Sequence, residues 1–327
     1  MPALPRIRML AMGGTIASVP TGDTTEVTPS LRADQLVESM PALAEVARVE
    51  WGDVATIASF AVTVANMHEL AVAATEAVRD GCAGVVITHG TDTIEETGYA
   101  IALMVPREIP IVLTGAMRNP TLPGADGPGN LLAAFIAAAS PEARDLGPVV
   151  LLNDEIHAAR FASKSHSTRP STFVSAGSGP IGEVIENRAY FWFTPRYDDY
   201  LGLPDSPPVP RVPLLRVASE IDDTMLRAAI AGEPDAIVIE GFGGGHAVPA
   251  ILDAIDAAID VGIPVVMASR VFSGRTLERT YRMPGAETDL IDRGVIPAGH
   301  LAGHKVRLRL IVGLALGREA RSLFPVR

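Results

Sequence analysis

The chain has 327 residues, enough for roughly two domains that each bury a core. Its 48% apolar and 20% charged residues are those of a folded globular chain, which excludes wholesale disorder. Lys and Arg number 27 against 38 Asp and Glu, a net charge of −11, so the chain lacks the positive field that draws phosphate backbones and no nucleic-acid partner is expected.

Residues 1–11 carry Pro2, Pro5, Arg6 and Arg8 and no apolar run before Gly13, so they do not read as a signal peptide, and a cytoplasmic location is expected. Cys82 is the only cysteine, which fits a reducing compartment. The densest apolar stretches, 131–139 and 308–316, fall short of the ~20 residues that a membrane span needs, so none is expected.

Short β-rich runs alternate with alanine-rich helical stretches, the pattern of βα units around a parallel sheet covered on both faces, so the fold class is α/β. Strands are expected at 7–11, 84–88, 111–114 and 149–153, each ending in small or polar residues. In open parallel sheets the ligand crevice lies beyond the carboxyl ends of the strands. That directs attention to Gly13-Gly14-Thr15, His89-Gly90-Thr91-Asp92, Gly115-Ala116-Met117-Arg118 and Asn153-Asp154. Apolar spacing predicts a helix over 67–79, and Thr93-Ile94-Glu95-Glu96 has the form of a capping box opening a helix toward Met104.

Six prolines and little periodicity between Thr194 and Pro213 mark a semi-rigid linker. The expected division is a domain over 1–195, a linker over 196–212 and a smaller α/β domain over 213–327. In the last, strands are expected at 214–217, 236–240, 265–268 and 306–311, with helices at 223–231 and 248–261. Arg307 and Arg309 would then alternate toward solvent, and Met9, Met12, Met104 and Met117 would fill the core.

Two segments carry most of the chemistry. After the first strand, Gly13-Gly14 lets a backbone approach a ligand closely, and Thr15 offers a hydroxyl at the strand tip; an ordinary glycine-rich βα turn would look the same. A dinucleotide site is not expected, because its fingerprint needs G-x-G-x-x-G and an acidic residue roughly 20 positions on, whereas here Ala17, Ser18 and a polar loop follow. The second segment, 87–97, puts Thr91 and Asp92 at the end of a strand and the mouth of a helix; helix capping would explain one of them, not the pair. Gly299 and Gly303 argue against a helix that would bring His300 and His304 together, so no metal site is expected. The run Gly241 to Gly245 is followed by no Lys-Ser/Thr and reads as a turn rather than a phosphate loop.

GGTIAS at 13–18 with THGTDTIEET at 88–97 resembles the bacterial-type L-asparaginase family. LTGAMRN at 113–119, GADGPGNL at 124–131, LLNDEIHAARFASKSHST at 151–168 and SRVFSG at 269–274 extend the likeness over nearly the whole chain. The resemblance implies a large N-terminal parallel-sheet α/β domain with a smaller C-terminal one, a homotetramer of two close dimers, and hydrolysis of L-asparagine without metal or cofactor, with L-glutamine a possible side substrate. It implies Thr15 as nucleophile and Thr91, Asp92 and Lys164 as a hydroxyl-carboxylate-amine relay, in which Lys164 takes a proton from Thr91 or water and Asp92 holds the ammonium. Asp92 is also implied to bind the substrate ammonium, Ser59 with the Thr91 backbone the α-carboxylate, and the Gly115-Ala116 turn to supply oxyanion donors.

Departures from the family pattern point elsewhere. The loop at 19–30 has no tyrosine to activate the threonine, Phe60 follows Ser59 in place of a glutamine, and His246 replaces an asparagine. The glutamate that a neighbouring subunit usually lends falls on Tyr281, with Glu278 and Glu287 nearby. The alternatives are a glutaminase-like amidase, such as a subunit of a tRNA amidotransferase, and a non-catalytic amino-acid sensor.

Overall fold

The computed structural model describes residues 3–21, 26–197 and 199–324. The chain divides into two units, Met1–Pro207 and Pro208–Arg327. In the first, the apolar runs at 7–11, 84–88 and 111–114 become neighbouring parallel strands, buried almost throughout, as expected for strands covered on both faces. Its strands in chain order are β1 (Arg6–Gly13), β2 (Ser18–Pro20), β3 (Val27–Pro29), β4 (Arg48–Ile57), β5 (Gly84–Thr88), β6 (Ile111–Thr114), β7 (Val149–Leu152) and β8 (Glu155–Ala158). There follow β9 (Ala162–Lys164), β10 (Phe173–Ser175), β11 (Gly182–Ile185) and β12 (Arg188–Phe191).

The main sheet runs β12-β11-β8-β7-β6-β5-β1-β4; β4 through β7 pair in parallel, whereas β7, β8, β11 and β12 pair antiparallel. The antiparallel end corrects one expectation. Asn153 and Asp154 form the two-residue turn of the β7–β8 hairpin, with φ of 52° and 63°, rather than a crevice-lining strand end. Two small hairpins, β2–β3 and β9–β10, lie outside the sheet.

The first unit's helices are α1 (Ala33–Glu38), α2 (Leu43–Val46), α3 (Val64–Arg79), α4 (Ile94–Met104) and α5 (Gly127–Ala139). Helix α3 starts three residues before the apolar periodicity does, because Thr63 and Asn66 cap it reciprocally. The expected capping box of α4 does not form: the Thr93 hydroxyl donates to the carbonyl of Ser59 at 2.7 Å instead. Helix α5 is buried along most of its length, and fully burying Phe135 contributes about 2–3 kcal/mol. Met9, Met12 and Met104 are buried and Met117 is half-buried.

In the second unit a parallel sheet runs β13 (Leu214–Arg216), β14 (Ile237–Gly241), β15 (Val265–Ser269), β16 (Ile296–Pro297). Its helices are α6 (Thr224–Ala231), α7 (Leu252–Asp260), α8 (Glu287–Arg293) and α9 (Gly303–Ala315). The strand expected at 306–311 is the middle of α9, and the fourth strand is the two-residue β16. The Val-Arg-Leu-Arg-Leu alternation misleads because α9 is covered on most sides: Val306, Leu308, Leu310, Ile311 and Val312 are all buried. Arg307 and Arg309 are half-buried, donating to the carbonyls of Val212 and Leu323, rather than facing solvent. Gly303, read as a helix breaker, is the first residue of α9 and lends its N–H to the carboxylate of Glu240. The described residues contain no helix long and apolar enough to cross a membrane.

Candidate active site

Four adjacent strands, β6, β5, β1 and β4, deliver the residues of interest from their carboxyl ends. After β1 the chain turns through Gly14 at φ 83° and ψ −175° into a single 3-10 turn, Thr15–Ala17, on which Thr15 is half-buried. Among the described residues its hydroxyl makes no hydrogen bond. The next turn of chain is pinned by the Ser18 hydroxyl, which donates to the Gly14 carbonyl at 2.8 Å.

Gly14 and Gly90 bring the first two segments together. A Cβ on Gly14 would stand 2.3 Å from both N and Cα of Gly90, and one on Gly90 would meet Ser59 Oγ at 2.7 Å and Gly14 Cα at 3.1 Å. No side chain fits at either position, so the backbones that carry Thr15, Thr91 and Ser59 converge on one point.

Thr91, 5% exposed, lies beside this contact. Lys164 reaches it from β9: Nζ donates to Thr91 Oγ1 at 2.9 Å and to Asp92 Oδ1 at 2.6 Å. The lysine side chain is 15% exposed while that of Asp92 is 55% exposed, so the amine is enclosed and the carboxylate opens to solvent. The Lys164 N–H donates to Glu95 Oε2 at 3.0 Å, which fixes the strand to the start of α4. On its other side Asp92 is held by Ser59: the serine hydroxyl accepts from Asp92 N–H at 3.2 Å and lies 3.3 Å from Asp92 Oδ2. Ser59 is buried, and the adjoining Phe60 is 80% exposed.

His89 explains how the 89–92 turn keeps its shape. The Gly90 carbonyl lies 2.7 Å from Nδ1, which must therefore carry the proton, and Nε2 accepts from the Thr97 hydroxyl at 3.0 Å. Burial drives the His89 pKa down to about 4, against a smaller opposing effect of the Gly90 carbonyl, so the ring is neutral. Because the peptide is trans, a Gly90 carbonyl aimed at His89 turns the Thr91 N–H the opposite way. That N–H finds no acceptor among the described residues.

Of the sequence-derived site residues, Thr91, Asp92, Lys164 and Ser59 form one bonded cluster, with Thr15 adjoining through Gly14. Ala116 is fully buried, and the N–H groups of Met117 and Arg118 after it are taken by Asp126. Sequence assigns no role to His89, Glu95, Asp126 or Asn130, although His89 stands in a strand-end cluster, Glu95 in the expected capping box and the other two within 124–131; the signal for Asp126 is an Asp two residues before a proline at a helix start. Residues 22–25 of the loop that lacks a tyrosine lie outside the described residues.

In the second unit the Gly241 to Gly245 run forms a turn closed by Phe242 and His246, which exchange backbone hydrogen bonds at 2.8 and 2.9 Å. His246 Nε2 lies 3.1 Å from Glu287, and its ring meets Tyr281 edge-on at 5.5 Å. Glu287 is 3% exposed and accepts the N–H groups of Thr280 and Tyr281, each at 2.6 Å. Glu278 is paired with Arg275 at 2.7 Å. No group of three or more His, Cys, Asp or Glu able to hold a metal occurs among the described residues.

Residues 6–196 match the N-terminal asparaginase domain and residues 211–323 the glutaminase/asparaginase C-terminal domain, so the chain belongs to the asparaginase family. Among its relatives, a probable L-asparaginase of Deinococcus radiodurans is 37% identical over 99% of this chain and 97% of its own. A glutaminase-asparaginase of Pseudomonas fluorescens is 30% identical over 98% of this chain and 89% of its own. The crystal structure of a probable cytoplasmic L-asparaginase from Campylobacter jejuni superposes with a TM-score of 0.87 at 29% identity, covering 98% of each chain.

Proposed function

We propose that the protein is a cytoplasmic amidohydrolase that converts L-asparagine to L-aspartate and ammonia through an ester on Thr15. One observation carries the reading: a single enclosed amine, Lys164 Nζ, bridges the Thr91 hydroxyl and the Asp92 carboxylate. It does so beside the Gly14–Gly90 contact that brings Thr15 to the same place. A carboxamide is a weak electrophile, so its cleavage needs a placed hydroxyl, a route for protons and a donor at the oxyanion.

In the first step the Thr15 O–H bond breaks as its Oγ bonds to the side-chain carbonyl carbon, the C–N bond breaks, and the proton from Thr15 ends on the departing nitrogen, which leaves as ammonia. In the second, water adds to the ester as one of its protons passes through Thr91 to the Lys164 amine; the Thr15–carbonyl bond breaks to release aspartate, and the proton returns to Thr15 Oγ, restoring both groups. Asp92 Oδ1 stabilises the lysine ammonium, and the exposed side of the same carboxylate receives the substrate's α-ammonium. Ser59 serves the α-carboxylate. The Thr91 N–H, which has no acceptor among the described residues, is an oxyanion donor beside those of Gly115 and Ala116, whereas the N–H groups of Met117 and Arg118 are engaged by Asp126. No cofactor enters either step.

The glutaminase-asparaginase relative supports L-glutamine as a side substrate. The homotetramer implied by the sequence would bring a neighbour's second unit to the site, with His246 and Tyr281 the candidates to complete it. Purified protein should release ammonia from asparagine, and Thr15→Ala should abolish the release. Tight binding of asparagine without ammonia would instead identify an amino-acid sensor, and a fully active dilute monomer would refute the shared site.

A further inference from the structure

Asp126 occupies the N-cap of α5 yet makes no capping bond to its own helix. Pro128, the second helical residue, has no N–H to offer, and Asp126 itself sits at φ −90° and ψ −14° rather than in the extended conformation of a capping residue. Its carboxylate turns back instead to the chain after β6. The two oxygens accept the Met117 N–H at 2.9 and 3.1 Å and the Arg118 N–H at 2.8 Å.

One helical turn on, Asn130, 4% exposed, extends the same clasp. Its amide nitrogen donates to Asp126 at 3.2 Å and to the Gly115 carbonyl at 2.9 Å, while its oxygen accepts the Asn153 N–H at 2.9 Å. The 115–118 turn is thereby tied at three backbone groups to the first turn of α5 and, through Asn153, to the β7–β8 hairpin.

Both threonine segments rest on this clasp. A Cβ on Gly115 would lie 2.4 Å from the His89 carbonyl and 3.5 Å from Thr91 Cγ2. A Cβ on Gly127, the neighbour of Asp126, would lie 3.0 Å from Ile16, the residue after Thr15, and 3.4 Å from Ala116 Cβ. We propose that Asp126 and Asn130 are positioning residues that set the spacing of the Thr15 and Thr91 segments. The inference rests on the amidohydrolase reading for its kinetic consequence but not for its structural one. Neither residue touches the reacting atoms; an ångström of misplacement at the hydroxyls costs about a hundredfold in rate.

Asp126→Asn replaces one acceptor oxygen with a donor that faces N–H groups. Its kcat for asparagine, counted per folded molecule by circular dichroism and the melting curve, should fall about a hundredfold while KM moves less than about threefold; a general loss of folding would instead lower only the folded fraction. Amide exchange at 15–17, 90–92 and 117–118 should accelerate by roughly tenfold or more, with β14 and β15 of the other unit unchanged. Asn130→Ser, which spares the helix start, should shift the same readouts in the same direction and decides the matter if Asp126→Asn does not fold. A folded variant with native exchange at 15–17 and 90–92, or with kcat within about twofold of the parent, would overturn the inference. If the parent itself released no ammonia, the amidohydrolase reading would fall, and the exchange measurement would still decide whether the clasp exists.

Discussion

Each unit has parallel-paired strands with a glycine-rich turn at a strand end, and the two put their carboxylates to opposite uses. In the first, Asp92 stays 55% exposed and shares its charge with one side-chain amine and one hydroxyl. In the second, Glu287 is 3% exposed and spends its oxygens on two backbone N–H groups and His246. Burial pushes the Glu287 pKa up, but the N–H groups of Tyr281, Glu287 and Thr280, with His246, outweigh it and hold the pKa below the usual value. Glu240 likewise accepts the Gly303 N–H, and Asp289 accepts that of Gly285 at 2.9 Å. A carboxylate committed to its own backbone shapes a loop, whereas one committed to a mobile proton carrier and open to solvent can meet a substrate.

Four measurements would break or sharpen this contrast. Thr15→Ala should lower kcat by at least about three orders of magnitude with an unchanged melting temperature. Lys164→Met comes next, with a loss of about a hundredfold to a thousandfold and the fold intact by circular dichroism; near-normal turnover would refute the relay. Glu287→Ala should act on stability, costing about 3 kcal/mol in urea unfolding by stranding buried N–H groups, while the Lys164 cluster remains formed. Unfolding that is indistinguishable from the parent would place Glu287 with Asp92 rather than against it.

The smallest effect concerns acid. His89, His157 and His304 are each held at about 4 by burial, with Lys305 adding to the effect at His304. A histidine ordinarily titrates near 6.5, so between that pH and about 4 the unfolded chain binds more protons than the folded one. Stability should therefore be complete above pH 6.5 and decline as pH falls toward 4. Melting curves across that window should flatten when His89 is replaced by Gln; an unchanged slope would mean that the ring is already charged in the native protein.

Sequence pattern located the strand ends well because strands buried on both faces read as continuous apolar runs, and the polar residues after them stand out. It failed where burial erased the contrast: α9 is covered on so many sides that its period disappeared into an alternating stretch. Asn153-Asp154 shows a different failure, since a hairpin turn and a crevice loop draw on the same residue types. The pairing of Lys164 could not be read locally, because the partners of its amine, Thr91 and Asp92, and the Glu95 carboxylate that accepts its N–H stand some seventy positions earlier in the chain. Asp126 was hidden by a familiar disguise: an acidic residue at a helix start explains itself as a cap until its partners are seen.

The adjacency of β6, β5, β1 and β4 also has a kinetic consequence. β1 is made first, yet its two neighbours in the sheet are β4, which begins at Arg48, and β5, which begins at Gly84. The lysine that meets Thr91 is synthesised later still. Every pairing that builds the cluster closes a long loop, the class of contact that forms slowly. A fully synthesised but unfolded chain therefore holds all the reactive groups and none of their arrangement, so recovered turnover during refolding would require at least completion of the whole first unit.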